Sequence, residues 1–342
     1  MKEILDLYLD EGLGGVRFVG ICGMGGIGKT TIAQEISKRI SSNFEASSFI
    51  ANVREETKNQ RLVETKNQCL VSLQTQLLSK ILMESEIKIW NVSEGISVIA
   101  NRLRNKKVLI VLDDVDAEEQ LEALAGKRDW FGLGSRIIVT SRDIHLLRRH
   151  GVDDVYTPKG LNDDEALELF SLRAFKKPHP EENYANLSRD FVSYANGLPL
   201  ALSILGSSLF GKRIDAWRSA CDKLRAESNR NILNILQISF DGLMDTQKEL
   251  FLDIACFFKG KKKDCIRDIL ESFGYHPDYN IDVLMDKSLI TIDKDGTLWM
   301  HDLLQKMGQE IVHRESPKEP GGRSRLWIYE DVIRALKNNI VS

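Results

Sequence analysis

A glycine-rich stretch near the N-terminus has the residue types and spacing of a phosphate-binding loop. The segment "GMGGIGKTT" (residues 23–31) fits the pattern G-x-x-x-x-G-K-[ST] from Gly23 to Thr30. In such a loop the glycines let backbone N–H groups approach phosphate oxygens, Lys29 reaches the terminal phosphates, and Thr30 can bind Mg²⁺. The alternative is a glycine-rich turn that binds nothing. A predicted strand before the motif and a predicted helix after it favour the phosphate loop.

A second stretch places two carboxylates at the end of an apolar strand. The segment "KKVLIVLDDVD" (106–116) is apolar up to Leu112 and then carries Asp113 and Asp114. At the carboxyl end of a strand that accompanies a phosphate loop, Asp113 is placed to hold Mg²⁺ through water, and Asp114 to orient an attacking water. Either carboxylate alone could instead cap the following helix. The upstream phosphate loop favours the functional interpretation.

An arginine follows another predicted strand. In "GSRIIVTSRD" (134–143), the strand 136–140 is followed two residues later by Arg142. At the carboxyl edge of a parallel sheet, a guanidinium can sense a γ-phosphate through charge-assisted hydrogen bonds. From spacing alone, a surface salt bridge explains this arginine equally well.

Two further stretches carry weak local signals. Pro199 in "GLPLAL" (197–202) occupies an early helix position, which is ordinary helix-starting chemistry. In "WMHDLLQ" (299–305), His301 and Asp302 could cap a helix, form a core pair or contact a ligand, and the local sequence favours the cap or the core. The histidines lack the Cys partners and the H-x-x-x-H spacing of a metal site.

The elements that must position these residues begin with an α/β region. Short β-branched runs alternate with helical patterns over residues 1–156, which predicts a parallel sheet in a P-loop nucleotide-binding domain. The predicted strands span 16–22, 47–53, 107–112, 136–140 and 154–156.

Two helix-rich regions follow. Residues 157–235 are predicted to form an all-helical domain, opened by a capping-box-like Asn162 and Glu165. Residues 236–313 are predicted to form three helices, two short strands around the turn "DKDG" and a last helix, which is the order of a winged-helix domain. Residues 314–342 are predicted to be a linker with a terminal helix. The helices before the hairpin are predicted at 161–175, 184–195, 199–210, 214–226, 245–256, 263–273 and 281–287, and the terminal helix at 329–338.

Composition narrows the class of protein. The net charge of -3 gives no general attraction to nucleic acid or to an anionic membrane, and the candidate recognition helix "IDVLMDK" (281–287) has the wrong sign for a phosphate backbone. The five cysteines are widely spaced, as for free thiols in a reducing compartment. No apolar run reaches the roughly 18 residues that span a bilayer. We therefore expect a cytoplasmic or nuclear protein without a membrane partner, and nucleic acid is disfavoured as a partner.

Six motifs together resemble the NB-ARC module of plant intracellular immune receptors (NLRs). They occur in the order and approximate spacing of that family, and they are "GMGGIGKTT", "VLIVLDDVD", "GSRIIVTSRD", "GLPLAL", "LFLDIACFFKG" and "MHDLLQKMG". The resemblance implies a STAND/AAA+-like P-loop NTPase domain followed by an all-helical domain and a winged-helix domain. Asp116 and "FLDIACFF" (251–258) resemble the subclass that carries an N-terminal TIR domain.

The resemblance implies roles for individual residues. Asp113 would serve Mg²⁺ together with Thr30, and Asp114 would be the catalytic residue of hydrolysis. Arg142 would read the γ-phosphate, and Pro199 would pack near the adenine. His301 would contact the β-phosphate of ADP, which replaces the local interpretation of this histidine as a cap. The residues that would cradle the phosphates are Gly23, Gly25, Gly26, Gly28, Lys29, Thr30 and Thr31.

The function that the resemblance implies is an ADP/ATP-dependent molecular switch that uses Mg²⁺ and is at most a slow ATPase. Bound ADP would keep the domains closed, and exchange for ATP would permit self-oligomerisation and defence signalling. Its partners would be the receptor's own TIR and leucine-rich-repeat domains, which we do not expect within this sequence. The upstream segment that helps to hold adenine in the family is expected to be missing or to lie outside it. The alternatives are a turnover ATPase or phosphotransferase, and a winged-helix nucleic-acid-binding regulator.

Overall fold

The computed structural model describes the chain in four segments, which are residues 14–58, 66–84, 86–226 and 229–337. The chain divides into two compact units. The first comprises Met1–Gly23 with Gly28–Pro158, and the second comprises Met24–Ile27 with Lys159–Ser342.

The first unit is built on a parallel sheet of five strands. The strands are β1 (Arg17–Cys22), β2 (Ala46–Ile50), β3 (Val108–Val115), β4 (Arg136–Ser141) and β5 (Asp154–Tyr156). They lie in the order β2-β3-β4-β1-β5, and every neighbouring pair is parallel. The predicted fold class is thereby confirmed. Since β4 lies between β1 and β3, the carboxyl ends of these three strands form one continuous edge.

Helices cover both faces of this sheet. They are α1 (Lys29–Ile40), α2 (Val53–Lys58), α3 (Lys66–Leu82), α4 (Val92–Leu103), α5 (Glu118–Ala125) and α6 (Ile144–Arg149). Alternate residues of β3 enter two separate hydrophobic clusters, Ile110 with Leu77 of α3 and Val111 with Ile36 of α1. A strand buried on both faces needs apolar residues at successive positions, which explains its continuous run of Val, Leu and Ile.

The second unit is largely helical. Its helices before the hairpin are α7 (Asp163–Ala174), α8 (Ala185–Ala195), α9 (Pro199–Leu209), α10 (Ile214–Ala226), α11 (Arg230–Asp241), α12 (Asp245–Asp253), α13 (Lys263–Ser272) and α14 (Pro277–Asp286). The capping box at the start of α7 forms as expected, because the side chain of Asn162 accepts a hydrogen bond from the backbone N–H of Glu165 at 2.9 Å.

Two of these helices differ from the prediction. No helix is predicted at α11, which crosses the predicted domain boundary between residues 235 and 236. Helix α14 begins at Pro277 rather than at residue 281, because proline is favourable in the first turn of a helix, where its missing N–H costs nothing.

The second unit ends in a short hairpin and two more helices. Strands β6 (Thr291–Ile292) and β7 (Leu298–Trp299) pair antiparallel, over fewer residues than the predicted strands. Helices α15 (Asp302–Glu315) and α16 (Tyr329–Lys337) follow, and the last residue predicted for the terminal helix, 338, lies outside the described residues. Among the described residues, no helix is long and apolar enough to cross a membrane.

The linker between these last two helices is fixed by a buried arginine. Arg325 is 7% exposed, and its guanidinium donates hydrogen bonds to the carboxylates of Asp253 and Glu249. It also reaches the backbone carbonyl of Glu249 at 3.0 Å. Because both carboxylates belong to α12, the linker is held against that helix by charge-assisted hydrogen bonds.

Candidate functional site

The phosphate loop (residues 23–31) connects β1 to α1. The N-cap residue of α1 is Gly28, with φ 97°, a left-handed conformation that glycine adopts without a steric penalty. The N-terminus of α1 therefore starts without a side chain over its first N–H groups. Such a helix terminus carries a partial positive charge and open donors, which suit a phosphate.

Lys29 is the first residue of α1 and is 7% exposed. Its ammonium group donates a hydrogen bond to the carbonyl of Gly23 at 2.7 Å. Burial, and next the neighbouring guanidinium of Arg142, lower the pKa of Lys29 to about 8. A bound anion would offset both effects, so the position of this lysine is suited to a phosphate group.

Asp113 lies near the end of β3 and is 1% exposed. Its carboxylate accepts hydrogen bonds from the hydroxyl of Thr30 at 2.9 and 3.1 Å and from the hydroxyl of Thr140 at 2.6 Å. Thr30 belongs to α1 and Thr140 to β4, so the fold brings side chains from three elements together at the sheet edge.

The oxygen atoms of Thr30 and Asp113 fit the preferences of Mg²⁺, a hard cation that takes hydroxyl, carboxylate, phosphate and water oxygens. In the described part of the chain, no group of three or more His, Cys, Asp or Glu side chains could hold a metal ion. Phosphate and water oxygens would therefore have to complete the coordination, as is usual for Mg²⁺ at nucleotide sites.

Asp114 has an unusual backbone conformation. Its φ of 57° is left-handed, and the pairing register between β3 and β4 shifts between Leu112 and Val115. The backbone N–H of Asp114 donates to the hydroxyl of Thr140 at 2.8 Å, which holds the irregular backbone in place. Such a bulge redirects a side chain next to a site, and a non-glycine residue with positive φ often marks function.

The carboxylate of Asp114 lies between two arginines. Its Oδ2 is 2.7 Å from Nη2 of Arg54, and its Oδ1 is 3.6 Å from Nε of Arg142. Burial is the main cause that lowers the pKa of Arg142, and the nearby Arg54 adds to it, while Asp114 opposes the effect. Arg54 is not among the site residues predicted from the sequence. Its signal would have been a charged residue directly after the predicted strand 47–53.

Gly26 and Pro199 are both found in the second unit. The carbonyl of Gly26 accepts a hydrogen bond from the backbone N–H of Leu200 at 3.2 Å, so the tip of the phosphate loop contacts the first turn of α9, which starts at Pro199. A Cβ atom at Gly26 would lie 2.7 Å from Cβ of Leu200, and φ there is 82°. Only glycine fits this position without a shift of the backbone.

His301 is the N-cap residue of α15. Its Nδ1 accepts a hydrogen bond from the backbone N–H of Leu303 at 3.2 Å, so the local interpretation of this histidine as a helix cap is geometrically correct. Its Nε2 lies 2.8 Å from the carbonyl of Asn196, at the C-terminal end of α8. Since Nδ1 accepts, Nε2 carries the proton and donates it to this carbonyl. Burial lowers the pKa of His301, which favours this neutral form.

The predicted site residues fall into two groups. In the first unit the fold brings together Lys29, Thr30, Asp113, Asp114 and Arg142. In the second unit it places Pro199 at the start of α9 and His301 against α8. The remaining loop residues differ in exposure, as Gly25 is buried and Thr31 is exposed.

The parallel sheet, the phosphate loop and the paired Thr30 and Asp113 define a P-loop nucleotide-binding protein. The family model of the NB-ARC domain matches residues 1–180, and the model "Disease resistance protein Roq1-like, winged-helix domain" matches residues 245–316. The chain belongs to the NB-ARC family, and the resemblance of its six motifs to that family is confirmed.

Relatives with known roles support this assignment. The chain is 43% identical to the TMV resistance protein N of Nicotiana glutinosa over 344 residues, and 47% identical to the disease resistance protein RUN1 of Vitis rotundifolia over 322 residues. The matches cover 98% and 94% of this chain, but only 29% and 24% of the two relatives. The chain thus spans between about a quarter and three tenths of the length of these two disease resistance proteins.

The fold is also found among solved structures. A Walker-type ATPase of Pyrococcus abyssi superposes with a TM-score of 0.52 at 15% sequence identity, covering 90% of this chain and 93% of that protein. At this identity the likeness supports the fold alone.

Proposed function

We propose that this chain is the ADP/ATP-dependent switch of a plant intracellular immune receptor of the TIR-type subclass. ADP is bound in the resting state, and its exchange for ATP permits self-oligomerisation and defence signalling through the receptor's own TIR and leucine-rich-repeat domains, in the cytoplasm or nucleus. The observation that carries the proposal is the carboxylate of Asp114, which is engaged by two arginines rather than held ready as a base.

Nucleotide binding rests on the cations at the phosphate loop. Lys29 and the N-terminus of α1 bind the phosphate oxygens, and Thr30 and Asp113 hold Mg²⁺, which would neutralise phosphate charge. Arg142 is the residue that distinguishes ATP from ADP, because a guanidinium forms strong hydrogen bonds with a terminal phosphate. Two observations support this assignment: the hydrogen bond between the hydroxyl of Thr30 and the carboxylate of Asp113, and the burial of Lys29.

Hydrolysis is slow in this proposal. A carboxylate orients or activates water through its unshared oxygen lone pairs, and both oxygens of Asp114 face guanidinium groups. Bound ATP then persists instead of being hydrolysed at once. A switch requires this, because the bound nucleotide must define the state of the protein. Turnover above about 1 per second, the range of ordinary enzymes, would favour the alternative of a turnover ATPase.

His301 couples the nucleotide to the winged-helix region. For its Nε2 to contact a β-phosphate, it must exchange the carbonyl of Asn196 for the phosphate oxygen. The nucleotide then stabilises one arrangement of the region over another, as a switch requires. Shifting a balance from 1:99 to 99:1 takes about 5.5 kcal/mol, and a few charge-assisted hydrogen bonds at about 1.5–3 kcal/mol each supply it.

The test is the dissociation rate of fluorescently labelled ADP from His301→Ala. We expect faster dissociation than from the wild type, since the phosphate contact is lost. His313→Ala, on the same helix α15, is the matched control and should release ADP as the wild type does. Equal rates for His301→Ala and the wild type would exclude the phosphate contact.

A further inference from the structure

Arg54 is a buried cation beside the phosphate site. Strand β2 ends at Ile50, and Arg54 is the second residue of α2, which starts directly afterwards at Val53. The residue is 6% exposed. Burying a guanidinium is costly unless a carboxylate compensates its charge, so this position indicates a specific partner.

That partner is Asp114. Nη2 of Arg54 lies 2.7 Å from Oδ2 of Asp114, whereas Nε of Arg142 lies 3.6 Å from Oδ1. The closer arginine is therefore Arg54. A second carboxylate, that of Glu55, lies 3.9 Å from Arg54, but its side chain is 62% exposed and therefore screened by water.

The positive charges of Arg54, Arg142 and Lys29 lie near one another at the sheet edge, and each affects its neighbour. Arg54 contributes to lowering the pKa of Arg142, after burial, and Arg142 contributes to lowering the pKa of Lys29, again after burial. Arg54 and Arg142 thus pair with Asp114, and the buried Lys29 feels the charges of Asp114 and Asp113, so three cations lie near two carboxylates. This excess of positive charge favours an anion, and it favours most the anion with the greatest charge.

We propose that Arg54 is a positioning residue that sets the preference for ATP over ADP by neutralising Asp114. This inference rests on the proposed function, in which Arg142 reads the γ-phosphate. Because Arg54 compensates the charge of Asp114, Arg142 can turn from Asp114 to a γ-phosphate without leaving a buried carboxylate unpaired.

The loss of Arg54 has two consequences that act in the same direction. Asp114 then depends on Arg142 alone and keeps it away from the nucleotide. The uncompensated carboxylate also repels the γ-phosphate. Neither effect reaches ADP to the same extent, because ADP has no phosphate group at the position that Arg142 reads. Arg54 therefore acts on the third phosphate and not on nucleotide binding in general.

The experiment removes bound nucleotide from the full chain and then measures its dissociation constants for Mg·ATP and Mg·ADP by titration calorimetry. We expect Arg54→Gln to bind Mg·ATP about tenfold more weakly, within the usual range of coupling between sites, with little change for Mg·ADP. Arg54→Lys keeps the charge and should stay close to the wild type. Arg39→Gln removes an exposed arginine of α1 and is the control.

A double variant separates action through Asp114 from direct contact with the nucleotide. In Arg54→Gln combined with Asp114→Asn, no carboxylate remains to be compensated, so the affinity for Mg·ATP should return toward the wild type. This variant also removes the unpaired charge, so it gives the answer if Arg54→Gln does not fold. If the double variant stays about tenfold weaker than the wild type for Mg·ATP, Arg54 does not act through Asp114 and the inference is wrong.

The outcomes distinguish this inference from the proposed function. An equal loss of both nucleotides in Arg54→Gln contradicts the inference alone. A wild-type chain that binds neither nucleotide contradicts the proposed function and the inference with it.

Discussion

Lys29 should take up a proton when nucleotide binds. In the free chain, burial and Arg142 hold its pKa at about 8, so the ammonium group is half deprotonated at that pH. Bound phosphates add negative charge beside it and raise its pKa again. The free protein therefore binds fewer protons than the complex above pH 7, and the affinity for nucleotide must fall as pH rises through about 8.

The size of the effect follows from the pKa of the free chain. If the bound lysine is fully protonated, uptake is about 0.1 proton per ADP at pH 7, about 0.5 at pH 8 and about 0.8 at pH 8.5. The terminal phosphate, with a pKa of about 6, is itself about 0.1 protonated at pH 7 and could cancel the uptake there, but it is almost fully ionised at pH 8 and 8.5. Titration calorimetry in buffers of different ionisation enthalpy measures this number directly.

The control replaces the titrating group. Arginine stays protonated across this range, so Lys29→Arg should bind whatever nucleotide it retains without proton uptake. Lys38→Arg, near the other end of α1, should behave as the wild type. Proton uptake near zero at pH 8 in the wild type, or the same uptake in Lys29→Arg, would refute the claim that Lys29 becomes protonated when nucleotide binds.

Two further predictions concern stability, measured by urea unfolding. Arg325→Gln should lower the free energy of unfolding by about 3–5 kcal/mol, because it leaves the buried carboxylate of Asp253 unpaired. Arg314→Gln breaks only an exposed pair and should cost less than about 1 kcal/mol. Gly26→Ala should lower the free energy of unfolding by about 1–3 kcal/mol more than Gly211→Ala. Both glycines have positive φ, but only at Gly26 would a Cβ atom clash with a neighbour, Leu200. Similar losses within either pair of variants would contradict these assignments.

The sheet and its main site were predictable from the sequence because local patterns encode them. An apolar run such as that of β3 has few structures available other than a buried strand, and the phosphate loop must follow a strand and open a helix. Parallel strands then bring their carboxyl ends to one edge. This alone places Asp113 and Arg142 near Lys29.

Other features depend on tertiary contacts that no local pattern records. Helix α11 is capped by Asn229, whose side chain accepts a hydrogen bond from the backbone N–H of Ile232 at 3.3 Å, but one asparagine is a weak signal by itself, and burial within the second unit stabilises the helix. The pairing of Arg54 with Asp114 joins residues 60 positions apart, through a backbone bulge in β3 that the sequence does not mark. For His301, the sequence favoured a cap and the structure has one, while its contact with Asn196 could not be foreseen.

The proposed switch is tested most directly by the nucleotide that the protein carries. Freshly purified chain is denatured without added nucleotide, and the released material is identified and quantified by chromatography. The expected result is ADP at about one per chain, because the proposed switch stores ADP in its resting state. ATP as the main product, or no nucleotide at all, would contradict a resting state that stores ADP.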